Sequence, residues 1–160
     1  MASALVIPFM FSLSAKADSV NANLTATASV TDACLVSGGN LNFGDYDPLS
    51  GNPVNASGDF TVTCTLDTRA TITLGQGDNP GAGSTDDTPV RQMSDGTNVL
   101  EYALYQDASH TTPWGNTDTT GLSIVGTGNP EAISVYGTIP GGQNVPSGNY
   151  ADTVVITVTF

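Results

Sequence analysis

The sequence predicts an all-β protein built as an antiparallel β-sandwich. Three observations point there: apolar residues recur at every second position in several separate stretches, clusters of Gly, Pro, Asn, Asp and Ser punctuate them, and no window carries an apolar stripe at helical period. Successive side chains of a strand point to opposite faces, so period two is the trace of a half-buried strand. Within 160 residues, 18 Gly and 9 Pro supply the breaks that short strands need.

In chain order, "SVNANLTATASV" (19–30) places Val20, Ala22, Leu24, Ala26, Ala28 and Val30 on one face, with only Asn, Thr and Ser between them. "FTVTCTLD" (60–67) aligns Phe60, Val62, Cys64 and Leu66, and "RATITLG" (69–75) aligns Ala70, Ile72 and Leu74. "VLEYALYQD" (99–107) sets Leu100, Tyr102 and Leu104 against Glu101, Ala103 and Tyr105. "YADTVVITVTF" (150–160) sets Val154, Ile156, Val158 and Phe160 against Thr153, Thr157 and Thr159. Breaker-rich stretches at 47–59, 75–89, 94–96, 112–118 and 139–149 read as the connections. No linker divides residues 29–160, which are expected to form one domain.

The first stretch, "MASALVIPFMFSLSAKADS", reads as an export signal occupying residues 1–17. Ala4–Ala15 are apolar but too short to span a bilayer, and Ala15-Lys16-Ala17 is a small-x-small cleavage site. No Lys or Arg precedes the apolar run, so the basic n-region is read as clipped. Removal of Lys16 makes the formal charge of −12 one unit more negative, leaving Arg69 and Arg91 against 15 acids. That balance argues against nucleic acid and anionic lipid as partners, and no membrane insertion of the mature chain is expected.

Cys34 and Cys64 are the only cysteines. In an exported chain an even pair reads as a disulfide, here tying an early strand to the next and worth about 3–4 kcal/mol if unstrained. With one histidine and no cysteine pair at ligand spacing, the inventory offers no metal centre and no cofactor site. His110 has no nucleophile placed with it and G-x-S-x-G does not occur, so no enzymatic activity is expected. Asp45 with Asp47, and Asp86 with Asp87, lack the later bidentate acid of a calcium loop and read as turn formers. Asn23 and Asn55 match the glycosylation pattern. Tyr102, Tyr105, Trp114, Tyr136 and Tyr150 define a weaker alternative, a sugar-binding face.

The two terminal runs raise a question of strand count. From Val20 to Val30 an extended chain spans about 36 Å, twice an ordinary strand. The last run alternates as far as Phe160 and leaves no residues for a further strand. On pattern alone, residues 19–30 could be the first strand of a complete sandwich or a strand offered elsewhere.

Several separated motifs bear on that choice: "LNFGDYDPLSG" (41–51), "RQMSDG" with "LEYALYQD" and "WG" (91–115), "VYGTIPGGQNVPSGNYADTVVITVTF" (135–160), and Cys34 with Cys64. Together they closely resemble the spore coat protein U domain, which subunits of archaic chaperone-usher pili carry. The resemblance covers essentially all of the expected mature chain. It implies an incomplete immunoglobulin-like antiparallel β-sandwich, completed by a donor strand from a neighbouring subunit. It also implies a periplasmic chaperone, an outer-membrane usher and neighbouring pilin subunits as partners, with export through the periplasm to a cell-surface pilus serving adhesion and biofilm formation.

On this reading residues 18–28 are the donor, inserting Val20, Ala22, Leu24, Ala26 and Ala28. The chain's own first strand is expected at 29–36. Val154, Ile156, Val158 and Phe160 are expected to line the acceptor groove and meet the chaperone. The alternatives are a secreted coat or matrix protein of the same domain family and, from another class, a carbohydrate-binding module.

Overall fold

The computed structural model describes residues 16–160. The expected leader, residues 1–17, lies almost wholly outside the described residues. Residues 16–30 and the compact unit Thr31–Phe160 are separate bodies. Residues 16–30 are exposed and form no strand of their own.

The compact unit is all-β and antiparallel. Its strands are β1 (Cys34–Asn40), β2 (Val54–Cys64), β3 (Arg69–Leu74), β4 (Arg91–Ser94), β5 (Val99–Tyr105), β6 (Leu122–Val125), β7 (Glu131–Ile139) and β8 (Ile156–Thr159). They form a five-stranded sheet in the order β1-β2-β7-β5-β4 and a three-stranded sheet in the order β6-β3-β8. The inward faces carry Phe60, Val62, Ile72, Leu74, Leu100, Leu104 and Ile139, which is the period-two pattern converted into a core between two sheets.

Three expectations need correction. β1 begins at Cys34 rather than residue 29 and runs on to Asn40. A register irregularity between Ser37 and Asn40 lets it continue, because Gly39 and Gly58 bring the strands into backbone contact: a Cβ on Gly39 would lie 2.0 Å from the Asp59 carbonyl oxygen. Leu66, expected inward with Cys64, is 69% exposed. The chain has already turned there, and Asp67 adopts φ 64°. β2 starts at Val54, inside the stretch read as a loop.

Trp114 and Tyr102 also leave the aromatic face considered for sugar. Trp114 is 0% exposed and its Nε1–H donates to the Ile72 carbonyl at 2.9 Å. Tyr102 is buried as well. Indole and phenol rings carry one polar end that needs a partner when buried, and both find one inside.

The Cys34–Cys64 disulfide is formed. The two residues face each other directly in the β1–β2 ladder, so the bond pins the first strand of the unit to the second.

Candidate functional site

Two sheet edges flank an opening into the core. β1 ends one sheet and β8 ends the other, and each is laddered to a single neighbour, β2 and β3. Val36 faces the same side as its buried partner Val62, yet is 44% exposed, because no strand among the described residues ladders to the other side of β1. Unpaired edge amides and carbonyls of this kind are a template for another strand.

Between the sheets lies a cavity of about 450 Å³. Gly39, Asn40 and Leu41 form one wall, Val154 and Ile156 the facing one, and Phe60, Leu74, Tyr102, Leu104 and Val135 the floor. A second cavity of about 580 Å³ shares Leu41, Phe43, Met93 and Tyr150 with it. Phe43 lies edge-on to Tyr102 with centroids 5.9 Å apart. Gly137 makes room for Phe43, since a Cβ there would stand 2.6 Å from the Phe43 ring.

Polar side chains share the lining with the apolar ones: Asn40, Asn42, Asp59 and Asp152 all border the opening. The Tyr102 hydroxyl donates to Asp152 Oδ2 at 2.6 Å, and the Asp78 N–H donates to Asp152 Oδ1 at 2.8 Å. Burial, followed by the bond to Asp152, pushes the Tyr102 phenol above its ordinary range. Arg91 reaches from β4 across to the other sheet, where its Nε donates to the Gly75 carbonyl at 2.7 Å and one Nη to those of Leu74 and Trp114 at 2.7 and 2.9 Å. Burial lowers its pKa to about 10, while Tyr102 and Asp152 pull the other way.

Of the residues expected at the groove, Val154 and Ile156 stand in the cavity wall. Val158 packs half-buried against the core, and Phe160 is 57% exposed. Val20, Ala22, Leu24, Ala26 and Ala28 are all exposed in residues 16–30. Sequence reasoning missed the opposite wall, Gly39 to Phe43, although the alternation Leu41-Asn42-Phe43 signals it. His110 sits in a loop at φ 55°, its ring edge-on to Tyr105 and Tyr136. Among the described residues no group of three or more His, Cys, Asp or Glu is arranged to hold a metal. Asp47 serves a turn, its Oδ1 accepting the Leu49 N–H, whereas Asp86 and Asp87 tie loops together: Asp86 Oδ1 accepts from the Gln76 and Asn116 side chains and Asp87 Oδ1 from the Thr117 hydroxyl.

The architecture is thus a two-sheet antiparallel protein whose core opens between two edges, those of β1 and β8, that are unpaired among the described residues. Residues 20–157 match the Spore Coat Protein U domain, and the chain belongs to that family. "Protein U" of Myxococcus xanthus is 48% identical over 157 residues, covering 91% of this chain and 88% of the relative. The fold is similar to a chain in the crystal structure of the CsuC-CsuE chaperone-tip adhesion subunit pre-assembly complex from archaic chaperone-usher Csu pili of Acinetobacter baumannii. That similarity has a TM-score of 0.58 at 24% identity, and it spans 82% of this chain and 40% of the solved one.

Proposed function

We propose that the chain is a structural, non-enzymatic subunit of a secreted surface fibre, assembled by exchange of strands between copies with the help of a periplasmic chaperone and an outer-membrane usher. The observation that carries the proposal is the core opening between the unpaired edges of β1 and β8. Strand addition to such an edge supplies main-chain hydrogen bonds along the ladder and side-chain recognition at alternate positions. Membership of the family and the fold shared with a chain of a chaperone–pilus subunit complex support the same reading.

Residues 18–28 of the next copy are the donor. Burial of Val20 and Leu24 contributes roughly 3–6 kcal/mol together, and the alanines between and after them suit a shallow groove. An intervening strand needs β1 and β8 about 9.5 Å apart, twice the strand spacing. They approach within 8 Å in places, so strand insertion has to part them by a few ångströms, and a chaperone that occupies the gap keeps it open. Attachment to surfaces and biofilm formation follow at the level of the fibre.

A second reading, a coat or matrix protein assembled without an adhesive fibre, is favoured by the family's description and the near full-length match to Protein U. The two readings separate on gene neighbourhood: a chaperone gene and an usher gene found beside the coding sequence would favour the fibre, and their absence the coat. Expression of the exported chain with and without residues 18–28 tests the assembly itself: SDS-resistant polymers are expected only from the longer form, and polymers from the truncated form would remove the donor assignment.

A further inference from the structure

The two sides of the sandwich are held together unequally. On the side away from the groove the chain itself crosses between the sheets, at residues 113–115, and is bonded to both. Pro113 bridges to Tyr105, and the Trp114 N–H donates to the Leu104 carbonyl at 2.9 Å, which fixes the crossing to β5. The Leu74 N–H donates to the Gly115 carbonyl at 3.0 Å, and the Trp114 indole N–H to the Ile72 carbonyl at 2.9 Å, which fixes it to β3. Arg91 of β4 locks the crossing, since its guanidinium bonds at once to Trp114 and to Leu74 and Gly75 at the end of β3. The Trp114 and Arg91 side chains are both buried, and hydrogen bonds in so dry a setting are strengthened.

The groove side carries no such stitching. No hydrogen bond among the described residues joins β1 to β8, so only side-chain packing closes that side. Apolar contact is non-directional, whereas a hydrogen bond weakens steeply once it is misaligned. Parting the sheets evenly would strain every bond of the stitched side, and rotating them about that side leaves those bonds in place.

Resting on the strand-exchange reading, we propose that the sandwich opens as a hinged jaw. The crossing at Trp114 and Gly115, locked by Arg91, is the hinge line, and β1 and β8 are the lips that part for the incoming strand. Arg91 and Trp114 are then positioning residues for strand capture, although neither lines the cavity. In the order β1-β2-β7-β5-β4, β1 stands four strand spacings from β4, about 19 Å. A parting of about 3 Å at β1 is a rotation of about 9°, and the same rotation moves β5, one spacing from β4, by under about 1 Å.

Spin-echo distance measurements on the exported chain as a monomer test this, with a synthetic peptide of residues 18–28 as the incoming strand and isothermal titration to record its binding. Labels on Ser37→Cys in β1 and Thr157→Cys in β8 span the lips, and labels on Glu101→Cys in β5 and Ser123→Cys in β6 span the stitched side; all four residues are exposed. Bound peptide is expected to lengthen the first distance by about 3 Å and the second by under about 1 Å. Trp114→Phe keeps an aromatic ring but removes the donor, and should widen the spread of the second distance. Equal lengthening of both pairs, or a first distance unchanged with peptide bound, overturns the hinge and leaves strand exchange standing. An unchanged spread in Trp114→Phe removes Trp114 from the hinge. Failure of the peptide to bind overturns both the hinge and the strand-exchange reading.

Discussion

The hydrogen bond from the Tyr102 hydroxyl to Asp152 Oδ2 ties the floor of the cavity to the segment leading into β8. Asp152 also receives the Asp78 N–H, so one carboxylate orders the approach to the edge strand and the loop beside it. Tyr102→Phe should lower stability by about 1–2 kcal/mol through loss of one charge-assisted bond. Asp152→Ala should cost more, because it strands two donors. Urea unfolding of both variants checks the order.

Arg91 holds three carbonyls from a site that is 2% exposed. A lysine ammonium is a single point and cannot reproduce the planar fork. Arg91→Lys is expected to lower stability by roughly 2–4 kcal/mol, read as a shifted urea midpoint at constant slope.

β1 depends on a glycine contact that has a built-in control. A methyl at Gly39 would strike the Asp59 carbonyl, whereas one at Gly38 meets nothing within 4 Å. Gly39→Ala should displace the far end of β1 and lower stability by about 1–3 kcal/mol. Gly38→Ala should stay within about 0.5 kcal/mol of the parent. Hydrogen exchange of the β1 amides distinguishes a displaced strand from a general loss.

Acid should weaken the fold through two loops. Asp95 lies near pKa 2 because the Asn98 side chain and the Asn98 and Thr97 amides donate to it. Asp107 also lies near 2: desolvation raises it, but the Thr111 and Thr112 donors prevail. Both folded values are depressed, so their stabilisation is present above the ordinary carboxylate range and lost as pH falls from about 4 to 2. The melting temperature of the wild type should drop across that window, and Asp95→Asn with Asp107→Asn should flatten the slope.

Much of the scaffold was legible because alternation survives in single stretches such as Ala70-Ile72-Leu74 and Leu100-Tyr102-Leu104. β4 and β6 are four residues long, too short for a period to register. Leu66 misled because the alternating pattern runs one step past the point where the backbone turns. Trp114 could not be placed from its loop-like neighbours, since the partner of its N–H is Ile72, distant in sequence. The cavity shows the same limit: Val154 and Ile156 announce themselves in one run, whereas Asn40, Tyr102 and Asp152 meet only through the topology.

The central claim is that residues 18–28 complete a sandwich like the one they precede. The most direct measurement is the melting temperature of residues 29–160, alone and with residues 18–28 appended after Phe160 through a short flexible linker. The appended strand should raise the melting temperature by about 10 °C or more, and a scrambled version of the same residues should not. Equal melting temperatures for the three proteins would contradict the account.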